Sequence, residues 1–379
     1  MPTRIYLDHA ATTPMLPEVI ARMHSLMEDT WGNPSSIHAE GRTSKALLEK
    51  ARKSMAAHFH CAIGELFFTS GATESNNMIL RGAVQGLGVD TIITAPTEHH
   101  AVLHTLETLQ EGGVVKVLLL PVDHRGQPVL RDLENHLTQL HGHRVLVSLM
   151  HANNETGALL SLENVGALCL EHGAYFHSDS VQSVGFYPLN FQQLPVHFLT
   201  GSAHKFNGPK GVGFALVRGG TGIPPLQWGG PQERNMRGGT ENLLGIAGMA
   251  LALDLALVDR EARLQYLQSL KEHFFHGLRA ALPDVEINGP ELADGHPKIL
   301  NLSLPHNAAT DMFLFNLDIA GISASGGSAC TSGSDAGSHV IRAMYPGRDR
   351  VNVRFSFSHL NTLSEINQAV AIISGIYHK

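Results

Sequence analysis

The chain has 379 residues, of which 43% are hydrophobic and 16% charged, and its formal net charge is −7. This length predicts two domains, or one large domain with an appendage, and the composition excludes a disordered or fibrous chain. The acidic balance without a long basic run argues against direct binding of nucleic acid. No apolar run reaches the ~18 residues of a membrane span. The N-terminus lacks the apolar stretch of a secretion signal.

Helical and strand patterns alternate along the first half of the chain. Helices are predicted at 17–27, 45–59, 75–87, 101–110, 130–140 and 162–172. Short apolar runs that predict strands lie at 65–69, 91–95, 114–120, 144–150, 174–178, 196–200 and 211–217. Short apolar strands that alternate with amphipathic helices predict an α/β fold with a mostly parallel central sheet and helices on both faces.

The pattern changes in the last third of the chain. One long helical pattern covers 241–282, and after Pro283 short strand patterns at 285–289, 298–304 and 351–358 mix with helical patterns at 311–320 and from Ser364 onward. These elements predict a smaller α+β domain. We therefore expect a large domain at 15–254 and a small domain built from 1–14 and 255–379.

Polar clusters follow several predicted strands, where an open α/β sheet binds its ligands. The cluster SGATES at 70–75 ends a strand and opens a helix, so its backbone amides can face a phosphate. A helix capped by Thr73 explains the same residues without a ligand. The amide-rich cluster HANNETG at 151–157 is typical of a turn, or of hydrogen bonding to a ligand's phenolic oxygen.

The cluster TEHH at 97–100 opens another predicted helix. A histidine at this place can stack on a flat ring or transfer protons near neutral pH. His100 and His104 have the i, i+4 spacing of metal ligands, but no HExxH motif or further ligand set accompanies them. We expect no metal here, and a solvated helix face is the simpler interpretation.

Two further clusters carry a carboxylate and an amine. Asp179 ends the predicted strand AYFHS, where it can pair with a protonated ring nitrogen or cap the next segment. Lys205 follows the strand VHFLT, and a lysine whose pKa is lowered by its site can form a Schiff base. Lys210 lies in a GPKG turn and is expected to face solvent, as an isolated lysine usually does.

The sequence has three cysteines, too few for a disulfide framework, which favours a reducing compartment. Cys61 and Cys169 lie in helical, partly apolar stretches and are expected to be buried structural residues. Cys330 lies in GGSACTSG, a flexible pattern that suits a reachable nucleophilic thiol or a plain linker. A pyridoxal phosphate (PLP) enzyme that takes sulfur from an amino acid needs a carboxylate, an amine and a thiol, and Asp179, Lys205 and Cys330 together provide these groups.

The residues also resemble a known family, the cysteine desulfurases of aminotransferase class V. Ten blocks match its signatures in order, and they span residues 6 to 356: YLDHAATTP, WGNPSSIH, FTSGATESNN, TEHHAVL, HANNETG, DSVQS, SAHKFNGPKG, RGGTEN, GGSACTSG and VRFS. The resemblance implies the fold-type I PLP transferase architecture, which is that of aspartate aminotransferase. The form of the Cys330 segment is similar to that of the long-loop subgroup.

The resemblance also implies roles for individual residues. Lys205 would hold PLP covalently, and His99 would stack on its ring and move protons. The remaining cofactor contacts would come from Asp179 at the ring nitrogen, Gln182 and Asn154 at the phenolic oxygen, and Ala72, Thr73, Ser202, His204 and, from a neighbouring subunit, Thr240 at the phosphate. Arg354, with Asn154, would bind the substrate carboxylate.

The implied reaction converts L-cysteine to L-alanine and forms a persulfide on Cys330. The implied partners are a second copy of the chain in a homodimer and a sulfur-acceptor protein, such as an iron–sulfur scaffold or a component of transfer-RNA thiolation. A cytoplasmic location is expected. Two alternatives stay open: another PLP enzyme of this fold, such as a selenocysteine lyase or an amino-acid lyase, and a non-catalytic PLP-fold protein kept for complex assembly.

Overall fold

A computed structural model describes residues 4–326 and 337–378 of the chain. Cys330, the predicted sulfur-accepting residue, lies outside the described residues. Within the described ranges, no helix combines the length and the apolar character that crossing a membrane requires.

Eleven helices and twelve strands are found in these ranges. The helices are α1 Pro17–Asp29, α2 Ala39–His58, α3 Ala72–Leu87, α4 His100–Glu111, α5 Leu130–Gln139, α6 Leu162–Glu171, α7 Leu243–Leu257, α8 Arg260–Ala281, α9 Phe313–Ile319, α10 His339–Met344 and α11 Leu363–Tyr377. The strands are β1 Ile5–Tyr6, β2 Leu66–Thr69, β3 Thr91–Thr94, β4 Lys116–Leu119, β5 Val145–Ser148, β6 Tyr175–Asp179, β7 Phe198–Ser202, β8 Gly213–Val217, β9 Glu286–Ile287, β10 Ile299–Leu304, β11 Ile322–Ser323 and β12 Val351–Ser356.

A seven-stranded sheet forms the centre of the molecule, in the order β2-β8-β7-β6-β5-β3-β4. The pairs β4/β3, β3/β5, β5/β6 and β6/β7 are parallel, and β8 is antiparallel to both β7 and β2. The mostly parallel sheet predicted from the sequence is therefore confirmed. Because six of the seven strands run in one direction, the polar residues that follow β2, β3, β5, β6 and β7 meet at one edge of the sheet.

The central strands are buried on both faces, which explains their continuous apolar sequences. Successive residues of one strand belong to different hydrophobic clusters, as Ile92 and Ile93 do in β3 and Leu146 and Val147 do in β5. Side chains of a strand point alternately to its two faces. The sheet is thus covered by helices on both sides, and its polar edge is left as the place for a site.

The last third of the chain differs from its sequence prediction at one point. The helical pattern 241–282 forms two helices, α7 and α8, rather than one, and Asp259 between them has a φ of 49°. A left-handed residue cannot continue a right-handed helix. Apolar residues lie on both sides of the break, so the sequence pattern did not reveal it.

A second, three-stranded antiparallel sheet, β12-β10-β9, packs with α8 and α11 around a separate hydrophobic cluster. Ile5 and Leu7 near the N-terminus belong to this cluster, and β1 pairs with β11. These contacts join the residues around β1 to elements of the last third of the chain. The domain boundaries at 15 and 254 stay a prediction.

Candidate active site

A cavity of about 490 Å³ opens at the carboxyl edge of the central sheet. Its volume lies in the usual range for small-molecule sites. It is lined by ten of the twelve residues predicted from the sequence: Ala72, Thr73, His99, Asn154, Asp179, Gln182, Ser202, His204, Lys205 and Arg354. Thr240 is exposed and does not line this cavity, and Cys330 lies outside the described residues.

Asp179 ends strand β6 and is held from two sides. Its Oδ2 accepts a hydrogen bond from Asn76 Nδ2 at 2.7 Å, and its Oδ1 accepts one from the Val181 amide at 3.0 Å. Asn76 is itself fixed, because its Oδ1 accepts a hydrogen bond from the Thr200 hydroxyl at 2.9 Å. Neutral donors position the carboxylate and leave its negative charge for a cationic partner in the cavity. Asn76 lies on α3 and was not among the residues predicted from the sequence.

Lys205 lies in a short 3-10 turn directly after β7. Its amine donates hydrogen bonds to the carbonyl oxygens of Ala10 and Ala11, at 2.6 Å and 2.8 Å. The N-terminal segment is bound to this turn again where the Thr13 amide donates to the His204 carbonyl at 2.9 Å. Lys205 and Asp179 therefore face the same cavity, and residues 10–12 form a wall of the site that was not predicted from the sequence.

His99 is the N-cap of α4, and its ring also lines the cavity. Its Nδ1 accepts a hydrogen bond from the Ala101 amide at 3.0 Å, so the neutral ring carries its proton on Nε2. Burial lowers the pKa of His99, and the positive charge of Lys205 acts in the same direction, although the negative charge of Asp179 opposes them. The ring is therefore neutral near pH 7, with a fixed tautomer.

The first turn of α3 is suited to an anion. Its N-cap, Gly71, has no side chain to bond the free amides of the turn, which include those of Ala72 and Thr73. Gly213 on β8 permits the close approach of this turn, since a Cβ there would lie 2.7 Å from Gly71 Cα. Ser202 also lines this part of the cavity.

Glu74 fixes the outer end of the same turn. Its carboxylate accepts hydrogen bonds from the Ser70 amide at 2.9 Å and from Arg237 Nε at 3.0 Å. Burial would raise the pKa of Glu74, but the bonds from Arg237 and Ser70 outweigh burial and lower it. Arg237 begins the RGGT segment, so this ion pair attaches the segment that carries Thr240 to the turn.

Gln182 contributes a buried side-chain amide to the cavity. The side chain is 3% exposed, and its Nε2 donates to the Ala10 carbonyl at 3.0 Å. Its buried Oε1 has no hydrogen-bond partner among the residues that the structure describes. A buried polar atom without a partner is costly, and a ligand hydroxyl at this point would satisfy it.

Arg354, from β12, closes the other side of the cavity and is 1% exposed. Its Nη1 donates to the Asn154 carbonyl at 2.9 Å, and its Nη2 donates to Asp8 Oδ1 at 2.8 Å. Its Nε is buried without a partner in the described part of the chain. Asp8 is a second site residue that the sequence analysis missed, although it lies in the YLDHAATTP block.

No group of three or more histidine, cysteine or acidic side chains able to hold a metal ion is found in residues 4–326 and 337–378. The i, i+4 spacing of His100 and His104 brings their two rings together. Their rings stack with centroids 4.5 Å apart, and the ring of His339 lies 4.4 Å from that of His100.

The donor set of the cavity fits PLP group by group. A fixed carboxylate is present for the ring nitrogen, a lysine amine for the aldehyde, and free helix amides for the phosphate. The partnerless oxygen of Gln182 suits a phenolic hydroxyl. The residues that would hold the cofactor are therefore gathered around a cavity of adequate size.

Comparison with known proteins gives the same result. The sequence model of aminotransferase class V matches residues 5–369. A cysteine desulfurase IscS of Dictyoglomus turgidum is 38% identical over 383 residues, which cover 100% of this chain and 96% of that protein. A solved NifS-like protein has a TM-score of 0.91 and 34% identity, and the match covers 99% of this chain and 100% of that one. The solved structure of SspA in complex with cysteine has a TM-score of 0.80 and 26% identity, covering 95% of this chain and 100% of that one.

These matches extend over nearly the whole chain and confirm the fold-type I architecture predicted from the sequence. The chain belongs to aminotransferase class V and, within that family, to the cysteine desulfurases, which are PLP-dependent enzymes.

Proposed function

We propose that this chain converts L-cysteine to L-alanine and forms a persulfide on Cys330. One observation carries the proposal: a single cavity is lined by the amine of Lys205, the carboxylate of Asp179, the imidazole of His99 and the guanidinium of Arg354. These four groups are the ones needed to hold PLP, to move protons at an amino acid and to bind its carboxylate. The cysteine desulfurase names of the relatives support the substrate.

The residues around the cavity divide into those that hold the cofactor and those that hold the substrate. PLP would be held covalently by Lys205, at its ring nitrogen by Asp179, on its ring face by His99, at its phenolic oxygen by Gln182 and Asn154, and at its phosphate by Ala72, Thr73, Ser202, His204 and, from the neighbouring subunit, Thr240. Arg354 would bind the substrate carboxylate, and its buried Nε has no hydrogen-bond partner among the described residues.

When bound, PLP withdraws electrons from the α-carbon of the amino acid through its ring. Asp179 would support this by stabilising a proton on the ring nitrogen, since its carboxylate is fixed by Asn76 and the Val181 amide. Lys205 carries the proton of the α-carbon on Nζ, as a neutral amine can. His99 is neutral and protonated on Nε2, so it can donate a proton to a leaving or returning group and recover it.

The other two cysteines are poor candidates for the sulfur-accepting thiol. Burial raises the pKa of both Cys61 and Cys169 to about 12, and neither lines the cavity. A thiol must ionise to attack sulfur. We therefore assign the attack to Cys330: the C–S bond of the substrate breaks, an S–S bond to Cys330 forms, and the α-amino acid leaves as alanine.

The partners follow from this chemistry. A persulfide must be passed to an acceptor protein, for which an iron–sulfur scaffold or a thiolation protein is suited, and the exchange requires a reducing compartment such as the cytoplasm. Large apolar side chains exposed on the surface support a homodimer, among them Trp31 (74%), Ile37 (91%) and Trp228 (79%). Thr240 is exposed, as its proposed contact with the neighbouring subunit requires.

Mass spectrometry after treatment with L-cysteine tests the proposal. The PLP-loaded protein is expected to gain the mass of one sulfur atom on the peptide that contains Cys330, and to release alanine. Cys330→Ala should lose both, whereas Cys61→Ser, at a half-buried cysteine outside the cavity, should keep both. Alanine release at the full rate by Cys330→Ala would contradict the proposal and indicate a lyase that needs no thiol.

A further inference from the structure

Lys298 is a fully buried lysine that the reaction described above does not use. It is 1% exposed and lies one residue before β10, and it does not line the main cavity. Lysine is among the residues that are almost never fully buried without a partner. Its burial therefore requires a reason in its contacts.

Those contacts lead to the predicted cofactor lysine. The amine of Lys298 donates a hydrogen bond to the main-chain carbonyl of Lys205 at 3.1 Å, and it lies 5.1 Å from the ring centroid of Phe186. The carbonyl of Lys298 in turn accepts a hydrogen bond from the Phe357 amide at 2.8 Å. Lys298 thus connects the turn that carries Lys205 to the residue that follows β12, which is the strand that contains Arg354.

The charges nearby favour an uncharged amine at this position. Burial lowers the pKa of Lys298 well below its ordinary value, and the positive charges of Lys205 and Arg354 lower it further, against the opposite effect of Asp8. A neutral amine still donates a hydrogen bond to a carbonyl. The contact with Lys205 therefore does not depend on a buried positive charge.

We propose that Lys298 is a positioning residue that fixes the backbone of Lys205 from behind the cavity, so that the Lys205 amine stays aimed at PLP. This inference rests on the proposed function, because it takes Lys205 as the lysine that holds the cofactor. The free amine of Lys205 donates to Ala10 and Ala11, and these two bonds must give way when the amine holds PLP. The bond from Lys298 to the Lys205 carbonyl does not involve that amine, so it is available to fix the turn in the PLP-loaded protein.

Lys271 offers a matched control. It is also buried, at 2% exposed, and its amine also donates to a main-chain carbonyl, that of His296, at 3.3 Å. Burial lowers the pKa of Lys271 to about 8. Lys271→Met and Lys298→Met therefore remove the same kind of group and the same kind of bond, but only the second change affects a contact with Lys205.

The experiment measures the visible circular dichroism of bound PLP and its rate of dissociation in the PLP-loaded protein. Lys298→Met is expected to change the visible dichroism and to speed dissociation about threefold to tenfold, in line with the loss of one hydrogen bond. Lys271→Met should lower the melting temperature and leave both properties as in the parent. If both variants lower the melting temperature and neither changes the dichroism or the dissociation rate, Lys298 is merely structural and the inference is wrong.

Lys298→Gln keeps a donor on a side chain that is shorter by one bond, and it is expected to show an intermediate effect. If Lys298→Met does not fold, Lys298→Gln serves as the test instead. A visible dichroism and a PLP dissociation rate equal to those of the parent in Lys298→Gln would then overturn the inference. Lys205→Ala separates this inference from the proposed function. Covalent attachment of PLP in Lys205→Ala would refute the assignment of Lys205 itself, whatever the Lys298 variants show.

Discussion

Arg354 and Asp8 form an ion pair at the edge of the cavity, with 2.8 Å between Nη2 and Oδ1. The side chain of Arg354 is 1% exposed and that of Asp8 is 17% exposed. Asp8 thus holds the guanidinium in place but also neutralises part of the charge that would attract a substrate carboxylate. The two effects can be separated, because asparagine retains the oxygen that accepts the bond and lacks the charge.

Asp8→Asn is expected to lower the KM for L-cysteine at least about fivefold, because two charges about 4 Å apart interact by about 1 kcal/mol even in water and more strongly in a buried site. Asp8→Ala should raise KM, since it removes the acceptor that positions Arg354. Steady-state kinetics at a fixed ionic strength checks both variants. Equal KM values for the two variants would show that Asp8 acts through its charge alone or not at all.

Gly213→Ala is expected to weaken PLP binding and to destabilise the protein by about 1–3 kcal/mol, a typical cost of overpacking. A Cβ at this position would lie 2.6 Å from the Gly201 carbonyl oxygen and 2.7 Å from Gly71 Cα, so the phosphate-binding turn would have to move. PLP affinity by fluorescence titration and urea unfolding measure the two effects.

Gly222→Ala is the control for this substitution. An added Cβ at Gly222 meets no atom within 4 Å among the described residues. Its PLP affinity and stability are expected to equal those of the parent. A parental PLP affinity in Gly213→Ala would mean that the turn does not bind the phosphate.

The positions of the site residues were predictable where each residue follows a strand. Asp179 and Lys205 come directly after apolar runs that are buried on both faces, and parallel strands bring such positions to one edge. Asn76 and Asp8 were not predictable, because they reach the site across 103 and 346 positions of sequence. Asn76 lies inside helix α3 and Asp8 lies outside the central sheet, and local pattern carries no information about such distant contacts.

The break between α7 and α8 was missed for a different reason. It depends on the left-handed conformation of Asp259, a residue type that tolerates this region but does not require it. Apolar residues occur on both sides of the break because both helices bury side chains, although in different clusters, as Leu253 and Leu267 do. Apolar residues indicate that a helix is buried, and they do not show that its packing partner changes.

Stability is expected to fall as the pH is lowered from 6.5 toward 4. Burial lowers the pKa of His151 and of His177 to about 4, below the ordinary value near 6.5 of the unfolded chain. Between these values the unfolded chain binds more protons, so the contribution of each histidine is fully present above pH 6.5 and is lost as the pH falls. For each histidine, the free energy of unfolding falls by at most about 1.4 kcal/mol per pH unit as the pH is lowered.

Urea unfolding at a series of pH values checks this dependence. His177→Gln should reduce the slope between pH 6.5 and 4, and it can keep the hydrogen bond that joins His177 Nδ1 to the Ser148 hydroxyl at 2.9 Å. His141→Gln, at an exposed position, should leave the slope unchanged. Equal slopes for His177→Gln and the parent would exclude His177 as a source of the acid sensitivity.

Arg52 and Glu233 form a buried bidentate ion pair that joins α2 to the segment preceding Thr240. Arg52 Nη1 and Nη2 donate to Glu233 at 2.8 Å and 2.6 Å, and the Phe68 amide donates to the same carboxylate at 2.8 Å. Both side chains are at most 2% exposed. Removal of one partner leaves the other charge buried and uncompensated, which costs about 3–5 kcal/mol.

Arg52→Met is therefore expected to cost about 3–5 kcal/mol of unfolding free energy in urea. Glu233→Gln should cost a similar amount, although its amide oxygen can still accept from the Phe68 amide. The double variant should be less destabilised than the sum of the two, because neither charge is then left alone in the interior. Additive losses, within about 0.5 kcal/mol, would show that the two side chains stabilise the protein independently, and the ion pair would then have no part in holding the segment that leads to Thr240.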